Sequence, residues 1–235
     1  SIYAHHLKNI WRYFVLGAIY SIYFVFMFVA LKYTTTVSTA AIFTLLPLFA
    51  ALLERLFLKK SSPVLIWAAL ILSGMGALWI IFEGSINGLF QFRFEKGEAI
   101  FLVGTICYAS YAIIQPKLFE GENIYVTTLG VLAAGPIILA ISLILQQSSF
   151  IVHKITFEVF WVIFYLAIFA SIGSITCLNY ASPRLSAPIV SAYTLLVPFW
   201  VILNDFVFFK IAPNMNMTVG AMLIACGLLM LIYRS

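Results

Sequence analysis

Charge is so sparse in this sequence that it leaves eight uncharged windows of 18 residues or more: 13–31, 33–53, 61–82, 99–116, 123–152, 159–183, 185–204 and 211–233. A helix of about 20 apolar residues crosses the hydrocarbon layer of a bilayer. Strands of a transmembrane barrel would be about half as long and would alternate in polarity. These windows do not alternate. Helices also satisfy their own backbone hydrogen bonds in lipid. The sequence therefore predicts an all-α, polytopic transmembrane helix bundle. Composition agrees: 64% of the 235 residues are hydrophobic and 9% are charged, against roughly 45–50% and about 25% in soluble domains.

The net charge of +5 is diffuse and gives no nucleic-acid footprint; the expected surroundings are a lipid bilayer. With the segment before the first span placed in the cytoplasm, that side carries Lys8, Arg12, Arg55, Lys59, Lys60, Lys117, Arg184 and Arg234. The other side carries Lys32, Arg93, Lys96, Lys154 and Lys210. The excess of cations favours this orientation, so the C-terminus is expected in the cytoplasm. No cleavable signal peptide is visible, since seven more apolar runs follow the first. The sequence starts with Ser, as a fragment would.

The spans repeat. When Pro47 is aligned with Pro198, an acid follows seven residues later in both copies (Glu54, Asp205) and a glycine 29 residues later (Gly76, Gly227). Upstream, Tyr33 pairs with Tyr180 if the second copy holds four extra residues. The aligned spans run in opposite directions, because the repeat holds an odd number of spans. Inverted repeats recur in secondary transporters, with the substrate site near the bilayer midplane. Five spans follow the connection at 83–97 and three precede it, so symmetry expects two helices before Ser1.

On these residues the chain resembles the EamA family of the drug/metabolite transporter superfamily. The match lies in Ala30-Leu31-Lys32-Tyr33, Thr39-Ala40-Ala41, Leu45-Leu46-Pro47, Glu54-Arg55 and Gly74-Met75-Gly76. It continues in the echo from Leu178-Asn179-Tyr180 through Pro198 to Gly227, and in Gly97-Glu98 with Cys107-Tyr108-Ala109-Ser110-Tyr111. The resemblance implies a ten-helix, five-plus-five fold of which about eight helices are present. It implies a first EamA repeat at 1–82 without its first two helices, a connecting loop at 83–97 and a second repeat at 98–235. It also implies export or exchange of metabolites such as amino acids across a bacterial inner membrane.

Several residues are candidates for the substrate pathway. Pro47 and Pro198 each lack a donor and clash with the carbonyl four residues back, on Phe43 and Thr194. The expected kinks serve either as hinges or as static bends. Tyr20 and Tyr23 are helix neighbours, as are Thr105, Tyr108 and Tyr111. Thr44 lies just before Pro47, while Ser191, Tyr193 and Thr194 lie just before Pro198. An aromatic lining with a few hydroxyls suits a small amphipathic solute; interhelical hydrogen bonding is the plainer reading. Glu54 and Asp205 are candidates for coupling or gating. The alternatives are pairing of Glu54 with Arg55 or Lys59, and headgroup contact for Asp205. Pro136 reads as structural.

Cys107, Cys177 and Cys226 form neither a metal nor a disulfide pattern and read as small core residues. His5, His6 and His153 lack metal-ligand spacing, so no metal, cofactor or catalytic residue is expected. Gly74, Gly76, Gly220 and Gly227 read as close helix packing within a monomer, with a homodimer interface as the alternative. An intramembrane enzyme needs an activated nucleophile or metal ligands at membrane depth, and the sequence offers no such pairing. A non-transporting membrane scaffold has no need of matched prolines. The substrate identity, coupling ion and direction of transport stay open.

Overall fold

A computed structural model describes residues 10–60, 62–118, 122–145, 156–210 and 215–233. Among the described residues, eight helices are long and apolar enough to cross a membrane, and no strand occurs. In chain order the elements are α1 (Ile10–Ala30), α2 (Thr36–Phe43), α3 (Leu46–Leu58), α4 (Val64–Ile81), α5 (Ile86–Phe90) and α6 (Lys96–Leu118). Then come α7 (Ile124–Leu145), α8 (Phe157–Tyr165), a wide π-type segment (Leu166–Gly173) and α9 (Ser174–Ala181). The chain closes with α10 (Ala187–Ala192), a 3₁₀ turn (Tyr193–Leu196), α11 (Val197–Phe209) and α12 (Met215–Ile232). The spans expected from charge spacing are therefore present. Two of them are broken at a turn, α2 with α3 and α10 with α11, and a third joins α8 to α9 through the π-type segment.

The connection at 83–97 is not bare loop. Ser85 accepts a hydrogen bond from the Gly88 amide at 3.0 Å and caps the short α5.

The chain divides into two compact units, Ser1–Ile22 with Ile114–Arg184, and Tyr23–Ile113 with Leu185–Ser235. Each draws on both the earlier and the later part of the sequence.

In the first unit, α1 lies close along α7. A Cβ on Gly17 would come within 2.8 Å of the Ala134 Cβ, so small residues set the distance between the helices. The Ser21 hydroxyl donates to the Gly135 carbonyl at 3.2 Å. Asn179 Nδ2 donates to Thr128 Oγ1 at 3.1 Å, tying α9 to α7. Such bonds average roughly 0.6 kcal/mol between membrane helices. At the start of α1, Arg12 donates to the Leu118 carbonyl at 2.9 Å and Tyr13 to Glu122 Oε2 at 2.9 Å. The span Phe157–Ala181 differs from the others: 6% of it is buried, against 28–50% for the other seven. Phe157, Phe160, Trp161, Phe164, Tyr165 and Phe169 all point outward. Lipid is the solvent that accepts such a face.

In the second unit, α4 and α12 pack along each other. Gly76 faces the Gly220 carbonyl, where a Cβ would stand at 2.7 Å, and Gly227 presses on Ser73 and the Ala69 carbonyl. Ser73 Oγ reaches the Ile224 carbonyl at 3.5 Å. Three of the four glycines read as packing residues thus meet inside the chain. Gly74 differs, for nothing lies within 4 Å of its Cβ position. The cysteine expectation is corrected: Cys107 is half-buried, but Cys177 and Cys226 are exposed. A thiol behaves as a small apolar group, and in a membrane protein such a group need not be in the core.

Candidate functional site

The first broken span starts at Thr35, whose side chain caps the Ser38 amide. Helix α2 stops at Phe43. Leu45 then bonds back three residues to Ile42 at 3.0 Å, a tightened turn, and α3 resumes at Leu46. Pro47 is the second residue of the resumed helix. Its missing N–H falls in a first turn, where an α-helix has no internal acceptor to offer. The second broken span repeats the plan with a different turn. Helix α10 ends at Ala192, Tyr193–Leu196 wind as 3₁₀, and Pro198 is the second residue of α11. The prolines therefore stand in the first turns of restarted helices and not inside continuous ones, as the sequence alone suggests.

A threonine closes each break. Thr44 Oγ1 donates to the Ala41 carbonyl at 2.7 Å, and Thr194 Oγ1 to the Ser191 carbonyl at 2.7 Å. Both hydroxyls are turned toward their own backbone. Between the breaks lies a void of about 60 Å³ whose lining includes Phe43, Thr44, Ala77, Thr194, Leu195 and Pro198. Ligand clefts run from about 300 Å³ upward, so this void holds no organic solute. Its apolar walls give a water molecule few partners. It is a packing gap at the place where two helices bend.

Phe43 also belongs to an aromatic cluster. Tyr23 and Tyr108 have ring centroids 4.8 Å apart, and Phe43 stands 6.1 Å from Tyr108 and 6.2 Å from Tyr23. Phe101 lies 6.3 Å from Tyr23, and Tyr111 stacks on Tyr108 at 6.5 Å. Thr105, fully buried, donates to the Phe101 carbonyl at 3.0 Å. The structure thus gathers Tyr23, Thr105, Tyr108 and Tyr111 in one cluster. It gathers Thr44, Pro47, Ser191, Thr194 and Pro198 at the breaks. Tyr193 opens the second break but turns its side chain outward, and Tyr20 joins neither group, being half-buried in the other unit. Phe43 and Phe101 are members that sequence reasoning did not pick. Only their spacing from Tyr23 and Tyr108 in three dimensions marks them.

Glu54 lies on the buried stripe of α3 with Leu46, Pro47, Ala50 and Ala51, and is 5% exposed. Arg55 and Lys59 are exposed, and among the described residues the ion pair present is Arg12–Glu122 at 4.0 Å. The expected pairing of Glu54 with Arg55 or Lys59 is not made. The side chain of Asp205 and residues His5, His6 and His153 lie outside what the structure describes. The role of Glu98 is not visible in the sequence alone. Its side chain is buried, accepts a hydrogen bond from Thr34 and another from the Glu95 amide at 3.0 Å, and so fixes the start of α6.

Comparison with known proteins gives a consistent result. The sequence profile of the EamA-like transporter family matches residues 2–82 and 95–233. An uncharacterized transporter of Bacillus subtilis (strain 168), YyaM, is 26% identical over 225 residues, covering 94% of this chain and 73% of that one. An uncharacterized transporter of Archaeoglobus fulgidus is 23% identical over 206 residues, covering 87% and 69%. A solved crystal structure at 14% identity superposes with a TM-score of 0.74 over 96% of this chain and 86% of that one. At that identity the likeness concerns the fold alone.

Proposed function

Because the chain belongs to the EamA-like transporter family, we propose that it is a secondary transporter that exports or exchanges small organic metabolites by alternating access. Amino acids and related compounds are the first class to test. The membrane is the bacterial cytoplasmic membrane, with the C-terminus on the cytoplasmic side. The working unit is a monomer or a homodimer that needs no cofactor. The observation that carries this reading is the double role of Phe43. It ends α2 at the first break, borders the void between the breaks, and packs with Tyr23 and Tyr108. A change of bend at Pro47 moves Phe43, and Phe43 moves the aromatic wall. In this mechanism Tyr23, Tyr108 and Tyr111 present rings and hydroxyls to the solute, while Pro47 and Pro198 set the bends. Family membership and two transporter-named relatives favour this over an intramembrane enzyme or a scaffold.

The test is counterflow of a labelled amino-acid panel into proteoliposomes loaded with unlabelled solute. Saturable counterflow of any member supports a carrier. No flux with any solute, in protein shown to be folded, would sink the proposal for this substrate class.

A further inference from the structure

A second cavity lies at one membrane face of the unit that holds both breaks. The connections after the first and third spans share that face, because spans alternate in direction. They frame a cup of about 340 Å³, within the size range of small-molecule clefts. Its floor is rigid. Glu98 is held by Thr34 and the Glu95 amide, and a Cβ on Gly97 would come within 2.7 Å of the Thr34 Cβ, so turn and helix start are in close contact. Its walls are aromatic: Tyr33, Phe82 and Phe92.

The cup carries charges of both signs. Arg93 and Glu95 line it beside Glu98, and among the described residues neither Arg93 nor Glu95 forms an ion pair. Lys96 sets its ammonium over the Tyr33 ring, 4.6 Å from the centroid. The Tyr33 face thus already carries the protein's own ammonium, in a cup that Glu95 and Glu98 also line, and a ring that holds one cation can hold another in its place. A guanidinium on the same rim is a fork for a carboxylate.

We propose that this cup binds a small zwitterion, whose ammonium displaces Lys96 from the Tyr33 ring beside Glu95 and whose carboxylate lies on Arg93. The site lies apart from the helix breaks, and its occupancy is read without any flux, so it stands or falls separately from the transport reading.

Equilibrium binding of two probes to the chain in nanodiscs tests it: glycine betaine, a zwitterion, and choline, its counterpart without the acid. Betaine should bind saturably and more tightly than choline. Arg93→Gln should weaken betaine by about tenfold or more and leave choline unchanged. Glu95→Gln should weaken both. Both side chains are exposed, so melting curves of the variants should match the parent and show that the fold is intact. The proposal is overturned if neither probe saturates, if choline binds as tightly as betaine, or if betaine binding ignores both substitutions.

Discussion

Lys59 and Lys210 end their helices in the same left-handed conformation, at φ of 52° and 58°, each twelve residues after the proline that opens the resumed helix. Few residues other than glycine adopt positive φ, but a left-handed residue is a common way to stop a helix. A lysine there also suits the negative end of the helix dipole. The two copies therefore share a break, a proline and a stop, although Pro, Glu/Asp and Gly are the main residues that mark the repeat in sequence.

The α4–α12 contact gives a paired prediction. Gly227→Ala drives a methyl into Ser73 and the Ala69 carbonyl, whereas Gly74→Ala meets nothing within 4 Å. Overpacking of this kind costs about 1–3 kcal/mol. Removing glycine from an open helical site is neutral or gains up to about 1 kcal/mol. Thermal melts in detergent should show a lower Tm for Gly227→Ala and an equal or higher Tm for Gly74→Ala. Equal losses at both sites would contradict the packing.

The void between the breaks gives a second. Ala77 is fully buried and borders it. Ala77→Val adds two methyls where about 60 Å³ is free, so the protein should keep its melting temperature while exchange slows several-fold. If the void is a passive flaw, filling it will leave exchange unchanged.

Glu54 supplies a third. An acid at the bilayer centre costs about 2.5–3.5 kcal/mol on insertion scales. Glu54 sits four residues from the end of α3 yet is buried, with no ion pair among the described residues. If it couples transport to protons, Glu54→Gln should retain solute exchange and lose accumulation driven by a pH gradient. Accumulation equal to the parent would remove Glu54 from coupling.

Much of the fold is legible in the sequence because the bilayer imposes a simple rule: charges end spans and apolar runs fill them. The eight spans follow from that rule alone. The break positions are less legible. Pro47 and Pro198 announce a bend, but the turn that precedes each is set by Thr44 and Thr194 bonding to their own backbone, a choice local sequence leaves open. The aromatic cluster is half legible. Tyr108 and Tyr111 are helix neighbours, whereas Phe43, Phe101 and Tyr23 meet only through packing of three separate helices. Glu98 is hidden for a different reason, since an acid in a first helical turn usually reads as a favourable dipole partner.

The most direct measurement compares solute counterflow in the parent with that in the Pro47→Ala, Pro198→Ala double variant. Alanine restores a donor at each break. Two added hydrogen bonds of about 1 kcal/mol each would favour straightened helices, enough to shift a two-state balance by roughly 30-fold. The double variant should insert normally and its counterflow should slow by that order. Counterflow at the parental rate, with the double variant correctly inserted, would contradict a transport cycle that runs through these two bends.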